Sequence, residues 1–480
     1  MSYRVNRLYS KIVTAIFPVA LLLLFIWWRS SSGSILVEPR VPGLDNRPDS
    51  AAEAIDVNIG ELFEFLASEE TSSQYDWPKF RGADHDNIVS DPTPLADSWP
   101  ATGPPVIWQH YLGEGHAGPA INNGKVYVLD YNEEERADIL RCYSLKTGRE
   151  LWNRGYHVPI KRNHGMSRTI PAVTDKYVVT IGPRSHVMCV NPETGDLLWT
   201  LDIEKEYTTD SPLWYTGQCP LIYNDVAILA PGSPTALLIG VDCATGEVLW
   251  ETPNPDNIKM SHSSILPYTI LGKEMFVYFG VGGVAGVSAS GDDVGKLLWS
   301  NTEWSPSVVA PSPVQIADNQ ILLTAGYGNG GGRLTISSQG GSYSATLTSQ
   351  HNPREGISSE QQTPIVTGEY IWTILPKDAA ILRNQLVCYH NSDINNPVWI
   401  SDREMRFGLG PYIIADNKMY LLNDDGELFM FRFNVTSVSL LARHQVIPDG
   451  IDAWGPMAIA DGYLVLRDSH NLICLDIGKR

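Results

Sequence analysis

A proline-led hairpin recurs eight times along the chain, and this repeat constrains the fold more than any other feature. In each copy a proline precedes a short apolar stretch, a turn rich in Asn, Asp and Gly follows, and a second apolar stretch comes next. Proline suits the start of a strand because it cannot donate to the ladder, and Asn, Asp and Gly tolerate the backbone angles of a tight hairpin. The copies begin at Pro119, Pro171, Pro220, Pro267, Pro313, Pro364, Pro411 and Pro456.

A second signal, a turn followed by tryptophan, closes most of the repeats. Examples are LKTGRELW, which ends at Trp152, and NPETGDLLW, which ends at Trp199. The copies are spaced by 45 to 52 residues, which suits four strands and their turns. We therefore predict an all-β fold, an eight-bladed β-propeller over residues 77–480, in which large indole rings fill the space between neighbouring blades. The predicted blade-docking residues are Trp108, Trp152, Trp199, Trp250, Trp299 and Trp399.

The two ends of the propeller region predict how the last blade is completed. The eighth repeat ends at LICLDIGKR without a fourth strand, whereas an unassigned strand, PVIWQHYL with Trp108, precedes the first repeat. If this N-terminal strand joins the last blade, the ring closes and no sheet edge is left open at the junction. A solenoid, the competing repeat fold, leaves both features unexplained.

Residues 12–28 form a continuous apolar run, IVTAIFPVALLLLFIWW. These 17 residues just span the apolar core of a bilayer when helical, and a cleaved signal peptide is the alternative. No small-residue cleavage site follows, and the final Trp27 and Trp28 suit the membrane interface. We predict that residues 1–29 are a single-pass signal anchor in the inner membrane, with the propeller on the periplasmic side.

Residues 30–76 are rich in Ser, Pro, Asp and Glu, which is typical of a linker. Within it the amphipathic stretch Asn58–Ser68, NIGELFEFLAS, predicts at most one short helix docked on the propeller. The net charge of −19 argues against nucleic acid as a partner. Cysteines at equivalent repeat positions are expected to be small core residues, and only Cys219 with Cys243 is left open as a disulfide.

The x-x-x-Thr-Gly-x-x-x-Trp motif in β repeats of this length resembles the PQQ-like repeat of quinoprotein dehydrogenases and BamB-like propellers. The leader WPKFRG, from Trp77, and the later GPPVIW segment are similar to the segments that open bacterial propellers of this type. The resemblance covers about residues 77–480. It implies the fold, but it leaves the function open because the repeat stabilises blades with or without a cofactor.

The loops before the innermost strands border the central channel of a propeller, so their polar residues are the candidate site. Around the second repeat, Lys161, Arg162, His164 and Arg168 form a basic island that we hypothesise receives an anion or a carboxylated ligand; a solvated basic loop is the alternative. The candidate channel-mouth residues are His116, Arg162, His164, Arg168, Gln218, Gln362 and Trp454.

Two functions follow from the resemblance. A BamB-like propeller implies a non-catalytic binding or scaffold module for a protein or peptide partner in the cell envelope. A quinoprotein-like propeller implies a PQQ-dependent oxidoreductase, with PQQ and a divalent cation as cofactors. The sequence lacks the adjacent Cys-Cys pair and the C-x-x-C-H haem motif found among those dehydrogenases, and no metal ligand set stands out. We therefore favour the binding module, with a small-ligand sensor as a third, weaker alternative.

Overall fold

The eight predicted hairpins form the inner strands of eight sheets. The computed structural model describes residues 56–479 together with Pro18, Val19 and Leu22. In seven repeats the first strand begins one or two residues after the proline, and in the fourth Pro267 is the second residue of the strand Leu266–Ile270. Asn123, Asp225 and Asp461 have positive φ at the hairpin turns, which is the geometry that their short polar side chains tolerate.

Seven sheets contain four antiparallel strands and the sheet of blade 1 contains five, so the protein is an all-β, eight-bladed β-propeller. The inner strands are buried and the fourth strands are partly exposed, as in Val178–Ile181 and Leu197–Asp202 of blade 2. Blades 1 to 4 contain Ala120–Asn122, Lys125–Asn132, Ala137–Ser144 and Glu150–His157; Ala172–Val173, Val178–Ile181, His186–Val190 and Leu197–Asp202; Leu221–Tyr223, Val226–Leu229, Ile239–Asp242 and Val248–Glu251; Leu266–Ile270, Lys273–Gly280, Gly283–Ser288 and Leu297–Asn301.

The second half of the chain repeats the same arrangement. A short α-helix, Ile203–Tyr207, and a 3-10 turn, Ala380–Leu382, are the helical elements within residues 56–479. Blades 5 to 8 contain Val314–Ala317, Gln320–Ala325, Gly330–Gln339 and Ser342–His351; Ile365–Thr367, Tyr370–Ile374, Leu386–His390 and Asp393–Ile400; Tyr412–Ala415, Lys418–Leu422, Glu427–Asn434 and Ser437–Gln445; Ala458–Ala460, Tyr463–Arg467, Asn471–Asp476 and Val106–Tyr111.

Blade 8 takes its fourth strand from the N-terminal side of the propeller. Val106–Tyr111 pairs antiparallel with Asn471–Asp476, and Trp108 lies opposite Cys474. The Trp108 indole then donates from Nε1 to the Leu145 carbonyl of blade 1 at 2.7 Å. The predicted strand pairing is therefore present, whereas closure of the ring as a whole stays a prediction.

Tryptophans on fourth strands contact the turn glycine of the following blade. Gly246 in the Thr-Gly turn of blade 3 has φ +77°, and a Cβ there would lie 2.7 Å from Trp199 Cγ of blade 2. Trp199 Nε1 also donates to the Cys243 carbonyl at 2.9 Å. Glycine is thus required twice, for its φ and for the close approach of the ring. The same contact recurs for Trp108 with Gly148, Trp152 with Gly195 and Trp250 with Gly295.

The leader from Trp77 to Arg81 contacts blades 2 and 6 of the propeller. The Pro78 carbonyl accepts from the Val173 amide of blade 2. Three residues later, the buried Arg81 guanidinium donates to the carbonyls of Thr363 and Pro364 at 2.9 and 3.0 Å, at the start of blade 6. Blades 2 and 6 are four blades apart along the chain, so the leader connects two blades that are not neighbours in sequence.

The predicted short helix over Asn58–Ser68 is wrong. Leu62–Phe65 is a β-strand that pairs with Glu150–His157, which gives blade 1 a fifth strand. The outer strand of a blade offers unpaired backbone groups, and pairing with them stabilises an extended segment rich in aromatic residues. Phe63 also lies 4.2 Å from the Arg154 guanidinium carbon. The compact unit begins at Ala54, so the end of the predicted linker belongs to the propeller unit.

The six cysteines are all buried and free, including Cys219 and Cys243. The predicted anchor, residues 12–28, lies outside the described residues apart from Pro18, Val19 and Leu22. Within the part of the chain that the structure describes, no helix is both long and apolar enough to cross a membrane.

Candidate functional site

Loops that precede the first strands meet in a pocket at one mouth of the channel. The pocket has a volume of about 130 Å³, enough for several water molecules or a small organic molecule, and its walls include residues of blades 1 to 6 and 8. Phe80 of the leader also lines it. Of the seven predicted mouth residues, the lining includes His116, Arg168, Gln362 and Trp454, and it does not include Arg162, His164 and Gln218.

Arg168 is the cationic group of the pocket wall. Its Nε donates to the Trp214 carbonyl at 2.6 Å, and its Nη2 donates to the carbonyls of Asn163, His164 and Gly165 at 3.1, 2.5 and 3.2 Å. Burial lowers the pKa of Arg168 to about 10, so the side chain remains protonated at neutral pH. Backbone carbonyls therefore fix the guanidinium, but no carboxylate among the described residues forms an ion pair with it.

Glu360 is the anionic group of the same wall. Its side chain is only 2% exposed, and its Oε1 lies 3.3 Å from the Lys377 ammonium. The other oxygen, Oε2, is buried and has no hydrogen-bond partner. An unsatisfied buried acceptor is costly, so this oxygen is a natural place for a donor from a bound molecule.

Aromatic rings form part of the remaining walls. Trp214 and Tyr327 stack with centroids 5.6 Å apart, and His262 lies 6.0 Å from Trp214. A second pair, His116 and Trp454, has centroids 5.0 Å apart. Burial lowers the pKa of His262 to about 3 and the pKa of His116 far below its ordinary value, and the nearby Arg168 charge acts in the same direction on both. Both imidazoles are therefore neutral near pH 7.

The basic island of the sequence does not act as one patch. Arg162 is exposed and ion-paired with Glu114, outside the lining. The His164 side chain is also exposed, and the residue contributes its carbonyl, which accepts from Arg168. Only Arg168 of the four island residues lines the pocket.

The two predicted glutamines hold the loops in place. Gln218 is fully buried, and its amide group both donates to and accepts from the backbone of Ala230. Gln362 lines the pocket, but its Nε2 donates to the carbonyls of Leu409 and Trp454 at 3.2 and 3.1 Å. Gln362 therefore connects loops of three blades.

Sequence reasoning missed Trp214, His262, Tyr327 and Glu360, all of which line the pocket. A wider window before each proline includes Trp214 and His262, which lie six and five residues before Pro220 and Pro267. Glu360 lies two residues before the predicted Gln362. Tyr327 sits in the glycine-rich stretch 326–332, and no local pattern indicates that this loop reaches the mouth.

Within residues 56–479, no group of three or more His, Cys, Asp or Glu side chains is placed to hold a metal ion. Acidic turns that resemble oxygen-ligand loops satisfy their own backbone instead. Asp86 Oδ1 accepts from the Ile88 amide at 2.8 Å, and Asn423 Oδ1 accepts from the amides of Asp425 and Glu427.

A sequence model of the family described as "Outer membrane protein assembly factor BamB" matches residues 135–401, more than half of the chain. None of the curated proteins matches the chain in sequence. The predicted resemblance to PQQ-like repeat propellers is confirmed by the family match and by solved structures with the same fold.

BamB from Moraxella catarrhalis is 10% identical, with a TM-score of 0.50 over 78% of this chain and 99% of that protein. Quinohemoprotein alcohol dehydrogenase from Comamonas testosteroni is 11% identical, with a TM-score of 0.59 over 86% of this chain and 82% of that enzyme. A europium-containing methanol dehydrogenase is 10% identical, with a TM-score of 0.55 over 84% of this chain and 91% of that enzyme. These likenesses establish the fold alone.

Proposed function

Since the chain belongs to the family of outer membrane protein assembly factor BamB, we propose that it is a non-catalytic binding module for a protein partner in the cell envelope. The family match over residues 135–401 carries this proposal. The partner contacts the face that bears the pocket mouth, where Tyr327 is 37% exposed. The proposal includes anchoring through residues 12–28 in the inner membrane, with the propeller on the periplasmic side.

The chemistry of the mouth supports a binding role over catalysis. An efficient general base has a pKa near the working pH, whereas the pKa values of His116 and His262 lie far below neutrality. Burial raises the pKa of Asp138 to about 7, but this residue is fully buried away from the pocket lining. Glu360 is paired with Lys377. No pocket histidine is therefore tuned for proton transfer at neutral pH.

The pocket residues do not fit PQQ with a divalent cation. That cofactor needs cations for its carboxylates and an oxygen-rich ligand set for the metal that polarises its quinone. Arg168 is the one unneutralised cation of the described lining, and Glu360 is its one carboxylate. A single carboxylate already paired with Lys377 does not make a site for a divalent metal ion, so we derive no catalytic step through this cofactor.

Site-specific photo-crosslinking tests the proposal. A photoreactive phenylalanine replaces Tyr327 at the mouth of the full chain. The variant is expressed in the native host, so that its own cell envelope supplies the partner. The matched control replaces Val435, which is 43% exposed in the turn between the third and fourth strands of blade 7, at the opposite end of the blades. We expect one envelope protein to be crosslinked from position 327 and not from position 435.

Direct binding and cofactor assays complete the test. The crosslinked protein, purified, should bind the purified full chain saturably, and PQQ with calcium should give neither a visible absorbance change nor dye-linked alcohol oxidation. Equal crosslinking from both positions, or saturable PQQ binding with turnover, contradicts the binding module.

A further inference from the structure

Arg168 has bonding capacity that the protein does not use. Its Nε and Nη2 are engaged with four backbone carbonyls, but Nη1 makes no hydrogen bond to any described residue. The side chain lines the pocket and is only partly buried. A fixed guanidinium with a free edge is a suitable partner for a carboxylate, because the charge-assisted bond forms without further ordering of the arginine.

One Glu360 oxygen lacks a hydrogen-bond donor, whereas one Arg168 nitrogen lacks an acceptor. Glu360 Oε2 is a buried acceptor without a donor, in a residue that is 4% exposed and lines the same pocket. Lys377 reaches only Oε1, from a side chain that is 60% exposed. A ligand ammonium would give Oε2 the donor that the chain does not provide.

Both charges lie around one aromatic residue. The pKa of Tyr327 is raised to about 12, chiefly by burial; the Glu360 charge acts in the same direction and the Arg168 charge opposes it. Tyr327 stacks on Trp214, and the second ring pair, His116 and Trp454, lines the pocket as well. Apart from these two charged groups, the pocket walls therefore include much apolar surface.

We propose that the mouth of the channel binds a free α-amino acid with an apolar side chain. Its carboxylate bonds to Arg168 Nη1, its ammonium bonds to Glu360 Oε2, and its side chain packs against the aromatic walls. A simple anion would leave the Glu360 oxygen without a donor, and a simple cation would leave Arg168 without an anion. Only a ligand that carries both charges satisfies the two groups.

Calorimetric titration of the purified full chain tests this site independently of any protein partner. The probes are L-leucine and L-phenylalanine. Two derivatives of the second probe each remove one charge: N-acetyl-L-phenylalanine lacks the ammonium, and L-phenylalaninamide lacks the carboxylate. We expect saturable binding of the free amino acids and a loss of at least about tenfold in affinity for each derivative.

Three variants assign the charges. Arg168→Gln should lower the affinity for L-phenylalanine by about tenfold or more and leave the weak affinity for L-phenylalaninamide unchanged. Glu360→Gln should lower the affinity for L-phenylalanine to a similar extent and leave the weak affinity for N-acetyl-L-phenylalanine unchanged. Arg162→Gln removes a neighbouring arginine outside the lining, and it should bind L-phenylalanine as the parent chain does.

The derivative series on the parent chain stands even if a variant fails to fold. No saturable binding of either amino acid at millimolar concentration overturns the proposal. So does equal affinity for the charged and blocked forms, or an Arg162→Gln variant that loses as much affinity as Arg168→Gln.

Discussion

At the scale of single residues, Asp138 is a carboxyl sealed inside blade 1. It is fully buried, and it accepts from the hydroxyls of Tyr156 and Ser167, each at 3.1 Å. Burial raises its pKa from 3.8 to about 7, and the two hydroxyls oppose the rise. The folded protein therefore holds a proton on Asp138 over a pH range in which the unfolded chain releases it.

Because the pKa of Asp138 is higher in the folded protein than in the unfolded chain, its contribution to stability falls as the pH rises. The contribution of Asp138 to the free energy of unfolding is fully present below about pH 4 and is lost as the pH rises toward 7. Asp138→Asn should remove this dependence, so that the fall in stability from pH 5 to pH 8 is smaller than in the parent by about 2 kcal/mol. Urea unfolding of the full chain at the two pH values measures it.

Asp318→Asn is the control for the aspartate prediction, because Asp318 is exposed in a turn of blade 5. Its stability should follow that of the parent at both pH values. If Asp138→Asn loses as much stability between pH 5 and pH 8 as the parent does, the buried carboxyl does not carry the proton assigned to it.

The candidate site was only partly predictable residue by residue. His116, Arg168, Gln362 and Trp454 were found because they lie close to strand-opening prolines, and a propeller directs those loops to the channel. Tyr327 comes instead from the loop between the second and third strands of blade 5. Its place in the pocket depends on how far that loop leans inward, which is a tertiary effect without a local sequence signal.

At the scale of strands and blades, the tryptophan of one blade and the turn glycine of the next act as a joint. Trp199 is 8% exposed, and its ring packs against Gly246 of blade 3. The indole also bonds to the Cys243 carbonyl, so the contact combines apolar burial with a satisfied donor. The sequence motif therefore encodes a contact between blades as well as a turn.

Trp199→Ala should leave a cavity in this joint and lower the free energy of unfolding by about 3 to 5 kcal/mol. Leu198→Ala, on the same strand, is the control, because Leu198 is 40% exposed and should cost less than about 1 kcal/mol. Urea unfolding of the full chain compares the two. A parental unfolding midpoint for Trp199→Ala would show that the indole does not stabilise the joint.

The strand Leu62–Phe65 shows where local pattern fails. The stretch around it has apolar residues that suit either one face of a short helix or a half-exposed strand, and short runs do not distinguish the two. The free edge of Glu150–His157 decides in favour of the strand. The eight hairpins were predictable because each contains its own turn, whereas this strand depends on a partner about ninety residues away.

At the scale of the whole molecule, the pairing of Val106–Tyr111 with Asn471–Asp476 brings the two ends of the propeller sequence together. Tyr111 and Asn471 lie directly opposite each other, within the usual Cα separation of a disulfide. Since the six native cysteines are buried, an introduced pair at these positions can be oxidised selectively.

Tyr111→Cys with Asn471→Cys should crosslink in the native full chain and raise the free energy of unfolding by about 2 to 4 kcal/mol over the reduced form. The crosslink would enclose nearly the entire propeller sequence in one covalent loop. Tyr111→Cys with Val435→Cys, which places the second thiol on blade 7, should not crosslink. Mass spectrometry under native conditions measures the disulfide crosslinking of both double-cysteine variants. Failure of the first pair to crosslink, or equal crosslinking of both, would count against ring closure through this strand.

The leader that connects blades 2 and 6 has a kinetic consequence. Because Phe80 lines the pocket from this leader, we expect a molecule bound there to arrive and depart through the same opening. A protein seated over that opening without touching the bound molecule would slow arrival and departure by one common factor. Residence time would lengthen while equilibrium occupancy stayed the same, so docking at this face would convert a rapidly exchanging ligand into a retained one.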